Sequence, residues 1–178
     1  MINEEADYID AVRDGAISSF DIDTTTTIIR LRDGSLVLHS PAEATGALVM
    51  EIAKLGSTVS AIIAPNLQHW LGCASWAELF PDAQVLVAPD AEGESLLEKL
   101  DMVDDDRASV LNTSGSLFDG QLEYRLLEGA PLMLNEVVFF HGSSSTLLVA
   151  DGFYTGHCCN SNTMDTPLKT EPPNPFTR

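Results

Sequence analysis

The sequence predicts an α/β protein in which helices cover a mixed β-sheet. Apolar runs of strand length alternate with segments of helical periodicity through the middle of the chain. Tight turns predict locally paired strands on both sides of that region, at Asp33-Gly34 and at residues 142–145. Strands joined by short turns pair antiparallel, whereas strands joined through a helix are usually parallel. Both kinds of pairing are therefore expected in one fold.

Seven strands are expected where β-branched or apolar runs are bounded by turn residues. They are residues 26–32, 36–39, 58–64, 84–88, 122–127, 136–140 and 146–150. Three helices are expected between them, over residues 40–55, 74–79 and 91–100. The first is predicted to begin at Ser40 and Pro41, since serine caps free amides and proline suits the first helical position, and to end at Gly56.

The polar ends of the chain are expected to lie outside the packed domain, which is predicted over residues 24–154. Residues 1–23 form an acidic extension, in which one short amphipathic helix is expected. That helix is built on three residues: Tyr8, Ile9 and Val12. Residues 155–178 are rich in Asn, Ser, Thr and Pro, a composition that is typical of a disordered tail.

Composition and charge restrict the class of partner. Of the 178 residues, 44% are hydrophobic and 20% charged, which suits one packed domain of ordinary size. The net charge is −18, from 27 acidic and 9 basic side chains. A negative field of this size repels phosphate backbones and anionic lipid, so we expect neither nucleic acid nor membrane as a partner. A small molecule, a cation or a basic protein is compatible with it.

The amino terminus and the cysteines favour a reducing compartment inside the cell. The first 14 residues are acidic where a secretory signal needs positive charge, and no apolar stretch is long enough to span a bilayer. Cys73, Cys158 and Cys159 form neither a disulfide framework nor the spacing of a structural zinc site. We therefore expect a soluble protein of the cytoplasm or a similar reducing compartment.

Several segments together resemble the metallo-β-lactamase-like superfamily, in an uncharacterised branch whose domain has no known function. They are Leu38-His39-Ser40-Pro41, Ala64-Pro65-Asn66 with His69, the block Asn135-Glu136-Val137-Val138-Phe139-Phe140-His141, and Leu147-Leu148-Val149-Ala150-Asp151. The resemblance covers about residues 24–154 and implies an αββα sandwich, with two sheets facing each other between helices. That sandwich is expected to be truncated at its C-terminal side, because the superfamily continues past the aspartate with further strand and helix.

The same resemblance implies a metal site that this sequence has largely lost. In active members, the strand matching residues 58–64 is followed by His-x-His-x-Asp-His, which holds zinc and generates a metal-bound hydroxide. The four ligand positions are occupied here by Pro65, Leu67, His69 and Trp70. No histidine occurs between residues 129 and 134, where a later ligand is expected. Only Asp151 matches a ligand of the motif, the aspartate that bridges two metals.

Six polar residues remain as candidates for a metal or substrate cleft: His39, Asn66, His69, Asn135, His141 and Asp151. Asp151 and His69 are the candidate metal ligands among them. Three imidazoles and a carboxylate would suit zinc or iron if the fold brought them to one point.

Each candidate also has a plainer interpretation. His69, beside Trp70, is alternatively a structural or surface residue. Asn66 either presents its amide to a substrate or holds its own loop through the backbone, and Asp151 either binds a ligand or caps a turn. Asn135 and Glu136 either line the same cleft or simply begin a strand.

The sequence thus favours a metallo-β-lactamase-like protein with a degenerate metal site, non-catalytic or divergent in function and without a cofactor. One alternative is a metal-dependent hydrolase of an ester or thioester that uses a rearranged His/Asp site. The other is an acidic interaction protein that binds a basic partner.

Overall fold

The computed structural model describes residues 7–9, 17–22, 24–90, 93, 95–127 and 135–152. Within these ranges the chain forms two β-sheets and three helices, which confirms the predicted α/β class. The strands are β1 (Asp7–Ile9), β2 (Ile17–Ile22), β3 (Thr24–Arg30), β4 (Leu36–His39), β5 (Val59–Ala64), β6 (Gln84–Val87), β7 (Ala108–Val110), β8 (Ser114–Leu117), β9 (Leu122–Leu126), β10 (Val137–His141) and β11 (Thr146–Leu148). The helices are α1 (Gly46–Leu55), α2 (Cys73–Leu79) and α3 (Leu96–Lys99).

The larger sheet combines antiparallel and parallel pairing. Its order is β1-β2-β3-β4-β5-β6-β7, antiparallel from β1 to β4 and parallel from β4 to β7. The three helices connect the parallel strands in turn. Since parallel strands end at the same edge, the residues that follow β4, β5 and β6 are neighbours there.

The smaller sheet is antiparallel, in the order β11-β10-β9-β8. Strand β10 starts beside the end of β5, where the Val137 N–H donates to the Pro65 carbonyl at 2.8 Å. The two sheets share one core, in which His39 of β4 meets Phe139 of β10 with ring centroids 5.5 Å apart. None of the helices in the described ranges is long and apolar enough to cross a membrane.

Strands occupy part of the amino-terminal segment for which the sequence predicted a helix. Tyr8 and Ile9 lie in β1 and pair with Phe20 and Ser19 of β2, so the helix prediction is wrong for these two residues. An aromatic and a β-branched residue suit a strand once a neighbouring strand is available for pairing. Val12 and the predicted tail, 155–178, lie outside the described residues. The division of the chain into extension, domain and tail stays a prediction.

The first helix begins later than the sequence predicted. Thr45 is its N-cap and accepts a hydrogen bond from the Leu48 N–H at 3.3 Å, so the assignment of Ser40 and Pro41 to the helix start is wrong. The Ser40 N–H instead donates to the Ile63 carbonyl at 2.9 Å, and Ser40 adopts a left-handed backbone with φ of 55°. Ser40 therefore extends the sheet at its edge.

Two short strands carried no recognisable pattern in the sequence. β7 and β8 have few buried side chains, so they lack the apolar alternation by which a strand is recognised. The third helix is also shorter than predicted, with Leu96 as its buried residue. Residues 91, 92 and 94 of the predicted helix lie outside the described residues.

Candidate functional site

Asn66 is fully buried immediately after β5 and holds the loop that follows. Its Oδ1 accepts hydrogen bonds from the backbone N–H groups of Gln68 at 2.9 Å and His69 at 2.8 Å. A flipped amide would direct its own N–H groups at these two donors, so the orientation of the side chain is fixed. The interpretation of Asn66 as the residue that holds its own loop is confirmed.

The other end of the Asn66 amide connects two acidic residues from the opposite sheet. Its Nδ2 donates to Glu136 Oε2 at 3.2 Å and to Asp151 Oδ2 at 2.9 Å. Glu136 precedes β10 and Asp151 follows β11, so one side chain links the two sheets at the edge where β5 ends. The amide donors of Asn66 therefore bind two protein carboxylates, and a role in presenting them to a substrate stays a prediction.

Glu136 fixes the turn that carries Asp151. It is fully buried, and its carboxylate accepts hydrogen bonds from the backbone N–H groups of Ala150 at 2.8 Å, Asp151 at 2.7 Å and Gly152 at 2.7 Å. Together with Asn66, four donors converge on this one side chain. The sequence left Glu136 either lining the cleft or starting a strand, and it did not predict this role because three of its partners lie 14 to 16 residues further along the chain.

His69 connects Asp151 to Ser40. Its Nε2 lies 3.1 Å from Asp151 Oδ2, and its Nδ1 lies 2.6 Å from Ser40 Oγ. Because a carboxylate oxygen only accepts, Nε2 must carry a proton, and in the neutral ring Nδ1 then accepts from the Ser40 hydroxyl. Ser40 was missed as a site residue, although its place after a strand that neighbours β5 was a usable signal. Asn66, Glu136, Asp151, His69 and Ser40 are hereafter called the Asn66 network.

His39 lies near this network without joining it. Its side chain is buried between the sheets, and neither ring nitrogen has a hydrogen-bond partner. Burial lowers the pKa of His39 from 6.5 to about 3, with a smaller contribution from the nearby His69. His39 is therefore a neutral ring packed on Phe139.

The remaining two candidates lie apart from the Asn66 network. His141 ends β10, about 16 Å from Glu136 at ~3.3 Å per strand residue. Its ring contacts Ser144 Oγ at 2.7 Å and Ser143 Oγ at 3.1 Å in the following turn. Asn135 adopts a left-handed backbone and donates through Nδ2 to the Pro89 carbonyl, which fixes the end of β6. The structure therefore brings His69, Asn66 and Asp151 together and keeps His141 away from them.

A cleft of about 310 Å³ lies beside His69, with mainly apolar walls that include Pro41 and Trp70. Its shape depends on Gly72, because a Cβ there would lie 2.2 Å from the Pro41 carbonyl oxygen and 2.4 Å from that of Ala42. The Trp76 Nε1–H also donates to the Ala42 carbonyl at 2.8 Å. The segment that follows Ser40 is thus held tightly against α2.

The family model described as Domain of unknown function (DUF4336) matches residues 14–156. The chain belongs to this family. The matched region includes all five residues of the Asn66 network and begins inside the acidic amino-terminal segment. No curated protein matches the chain in sequence.

Two solved structures establish the fold of this family member. One is the DIM-1 metallo-β-lactamase exposed to ceftazidime, at 13% identity and a TM-score of 0.58, covering 80% of this chain and 68% of that chain. The other is a fragment, residues 1–254, of a putative diflavin flavoprotein A 5 from Nostoc sp. PCC 7120, at 9% identity and a TM-score of 0.52, covering 75% of this chain and 53% of the fragment. The likeness at these identities concerns the fold alone, and it confirms the predicted metallo-β-lactamase-like class.

Proposed function

We propose that this chain is a divergent member of the metallo-β-lactamase-like fold in which a hydrogen-bonded network takes the place of the metal site. The observation that carries the proposal is the Asn66 Nδ2, which donates to Glu136 and Asp151 at 3.2 and 2.9 Å. An amide nitrogen has two N–H donors and no acceptor site, so it is not a metal ligand. These two N–H donors hydrogen-bond both carboxylates and so stabilise the pair without a bound cation.

The donor set around Asn66 does not fit a zinc or iron ion. Ligation by His69 would require the Nε2 lone pair, but in the hydrogen-bonded arrangement Nε2 carries the proton that it donates to Asp151 Oδ2 at 3.1 Å. Among the residues that the structure describes, no group of three His, Cys, Asp or Glu side chains is arranged to hold a metal. The rearranged hydrolase site is disfavoured as well, because His141 lies far along β10 and His39 packs on Phe139.

The cleft beside His69 is the binding site in this proposal. Its walls include Pro41 and Trp70, and Glu43, Gln68 and His69 are polar residues of its lining. A neutral or cationic small molecule fits this lining better than an anion, because the chain carries a net charge of −18. The proposed function is therefore metal-independent binding of a small, mostly apolar molecule at this edge of the sheets.

Metal content tests the proposal. The protein is purified without chelators, and zinc, iron and manganese are measured per chain in the wild type, His69→Ala and Asp151→Ala. His141→Ala is the matched control, since it removes an imidazole far from the Asn66 network. We expect far less than one metal ion per chain in every sample. One ion per chain in the wild type and His141→Ala, lost in the other two variants, would refute the proposal.

A further inference from the structure

We propose that Ser40 is a nucleophile for metal-free acyl transfer, with His69 as its general base and Asp151 as the residue that orients His69. This inference rests on the proposed function, because it assumes that no metal occupies the site. Ser40 Oγ, the His69 ring and Asp151 Oδ2 form a continuous chain with contacts of 2.6 and 3.1 Å. A serine within hydrogen-bond reach of a base that a carboxylate orients is the arrangement that activates a hydroxyl.

The backbone of Ser40 supplies a second, independent observation. With φ of 55°, Ser40 lies in the left-handed region that non-glycine residues rarely adopt. The conformation is maintained by the Ser40 N–H, which donates to Ile63, and by the Ala42 N–H, which donates to Thr26 Oγ1 at 2.8 Å. Residues held in such regions concentrate at functional sites, and the nucleophile of α/β-hydrolases also sits on a strained turn after a strand.

Two features of this site restrict the substrate. Pro41 has no N–H, so the oxyanion donor that usually follows a nucleophilic serine is absent. Ser40 is also only 2% exposed and does not itself line the cleft, whereas Pro41 next to it and its partner His69 do. The substrate class is therefore a small, uncharged, activated ester or thioester, whose good leaving group compensates for weak stabilisation of the oxyanion.

The transfer would proceed in two balanced steps. Ser40 Oγ bonds to the carbonyl carbon and its proton passes to His69 Nδ1; the bond to the leaving alcohol or thiol breaks, and the leaving group takes that proton. Water then attacks the acyl-serine with His69 again accepting the proton, the acid is released, and Ser40 regains its hydrogen. Asp151 accepts the Nε2–H throughout and stabilises the imidazolium. The ring is reversed relative to chymotrypsin-type sites, since Nδ1 faces the serine here.

Covalent labelling of the full chain tests this inference. The wild type is incubated with p-nitrophenyl acetate and, separately, with a small alkyl fluorophosphonate, followed by intact-mass measurement and peptide mapping. We expect one adduct per chain on Ser40, and labelling about 100-fold slower in His69→Gln because the general base is lost. Ser144→Ala is the matched control, because Ser144 also contacts a histidine but lies at the far end of β10; its labelling should equal that of the wild type.

No adduct on Ser40 under conditions that label an ordinary serine hydrolase would overturn the inference, as would equal labelling of the wild type and a folded Ser40→Ala. Thermal midpoints establish whether each variant folds. If Ser40→Ala does not fold, Ser40→Cys is used instead, because it keeps a nucleophile in the same place. Metal is measured in the same samples. Missing labelling in metal-free protein overturns only this inference, whereas stoichiometric metal refutes the proposed function itself.

Discussion

The Nδ2 atom of Asn66 lies 2.9 Å from Oδ2 of Asp151, although 85 residues separate the two along the chain. This hydrogen bond joins the loop after β5 in the large sheet to the turn after β11 in the small sheet. Because Asn66 is fully buried, its amide would lose an acceptor that water does not readily replace if this hydrogen bond were broken. The contact therefore closes the sandwich at the edge where β5 ends.

Replacement of Glu136 by glutamine should destabilise the protein by about 2–4 kcal/mol. The carboxylate accepts four hydrogen bonds, and a glutamine would direct an NH₂ group at donors that then lose their acceptor. Urea unfolding measures the change, and hydrogen exchange at residues 150–152 should quicken. Glu123→Gln, on the exposed face of β9, is the control and should change stability by less than about 0.5 kcal/mol. Equal effects of the two substitutions would contradict the role of Glu136.

The buried His39 should make the protein sensitive to acid. The pKa of His39 is about 3 in the folded chain and 6.5 as an unperturbed group, so below pH 6.5 the unfolded state binds a proton that the folded state excludes. The contribution of His39 is complete above pH 6.5 and is lost at about 1.4 kcal/mol per pH unit as pH falls toward 3.

Substitution of His39 by leucine isolates this contribution. Unfolding free energies of the wild type and His39→Leu are compared at pH 7, 6 and 5, since the carboxylates titrate alike in both proteins. As pH falls, the unfolding free energy of the wild type should decrease steadily relative to that of His39→Leu. A difference that stays constant across this range would mean that the imidazole is not held neutral by burial.

Gly72→Ala should destabilise the wall of the cleft by at least about 2 kcal/mol. The added Cβ would meet two backbone oxygens, of Pro41 and Ala42, which cannot move without disturbing the segment beside Ser40. Gly46→Ala is the matched control, because nothing lies within 4 Å of a Cβ at that position in α1. It should be neutral or stabilising by up to about 1 kcal/mol. Thermal and urea unfolding of both variants provide the comparison. Similar losses of stability in the two would mean that the close approach of Gly72 to the Pro41 and Ala42 carbonyls is not what restricts this position.

The parts of the fold that the sequence predicted correctly are those with a strong local pattern. The Asp33-Gly34 turn forms with Gly34 at φ of 86°, and the apolar run before Pro65 is the internal strand β5. The predicted start of α1 was wrong because the Ser40 N–H pairs with the Ile63 carbonyl of the neighbouring strand β5. That partner lies 23 residues further along the chain, so no local pattern indicates it. The β1–β2 pairing was missed for the same reason, since pairing outweighs local preference.

The candidate site was predictable in composition but only partly in geometry. His69, Asn66 and Asp151 stood out because they occupy or follow positions of the superfamily's ligand motif. The contribution of Glu136 could not be read from the sequence, because a strand start looks alike whether its side chain faces water or four donors. His141 was a candidate for the same cleft but lies apart from Asn66, at the other end of β10. The direction of β10 depends on its pairing with β9 and β11, which the sequence does not show.

The unfolding free energy of Asn66→Asp, measured with and without Zn²⁺ and with and without EDTA, tests the central claim most directly. The substitution keeps the shape but replaces a donor by a third carboxylate beside Glu136 and Asp151, so we predict a loss of about 3 kcal/mol. The control Asn112→Asp, at an exposed position, should lose less than about 0.5 kcal/mol of unfolding free energy. Neither Zn²⁺ nor EDTA should change the unfolding free energy of the wild type. A stable Asn66→Asp variant, together with a wild type that EDTA destabilises, would contradict the account.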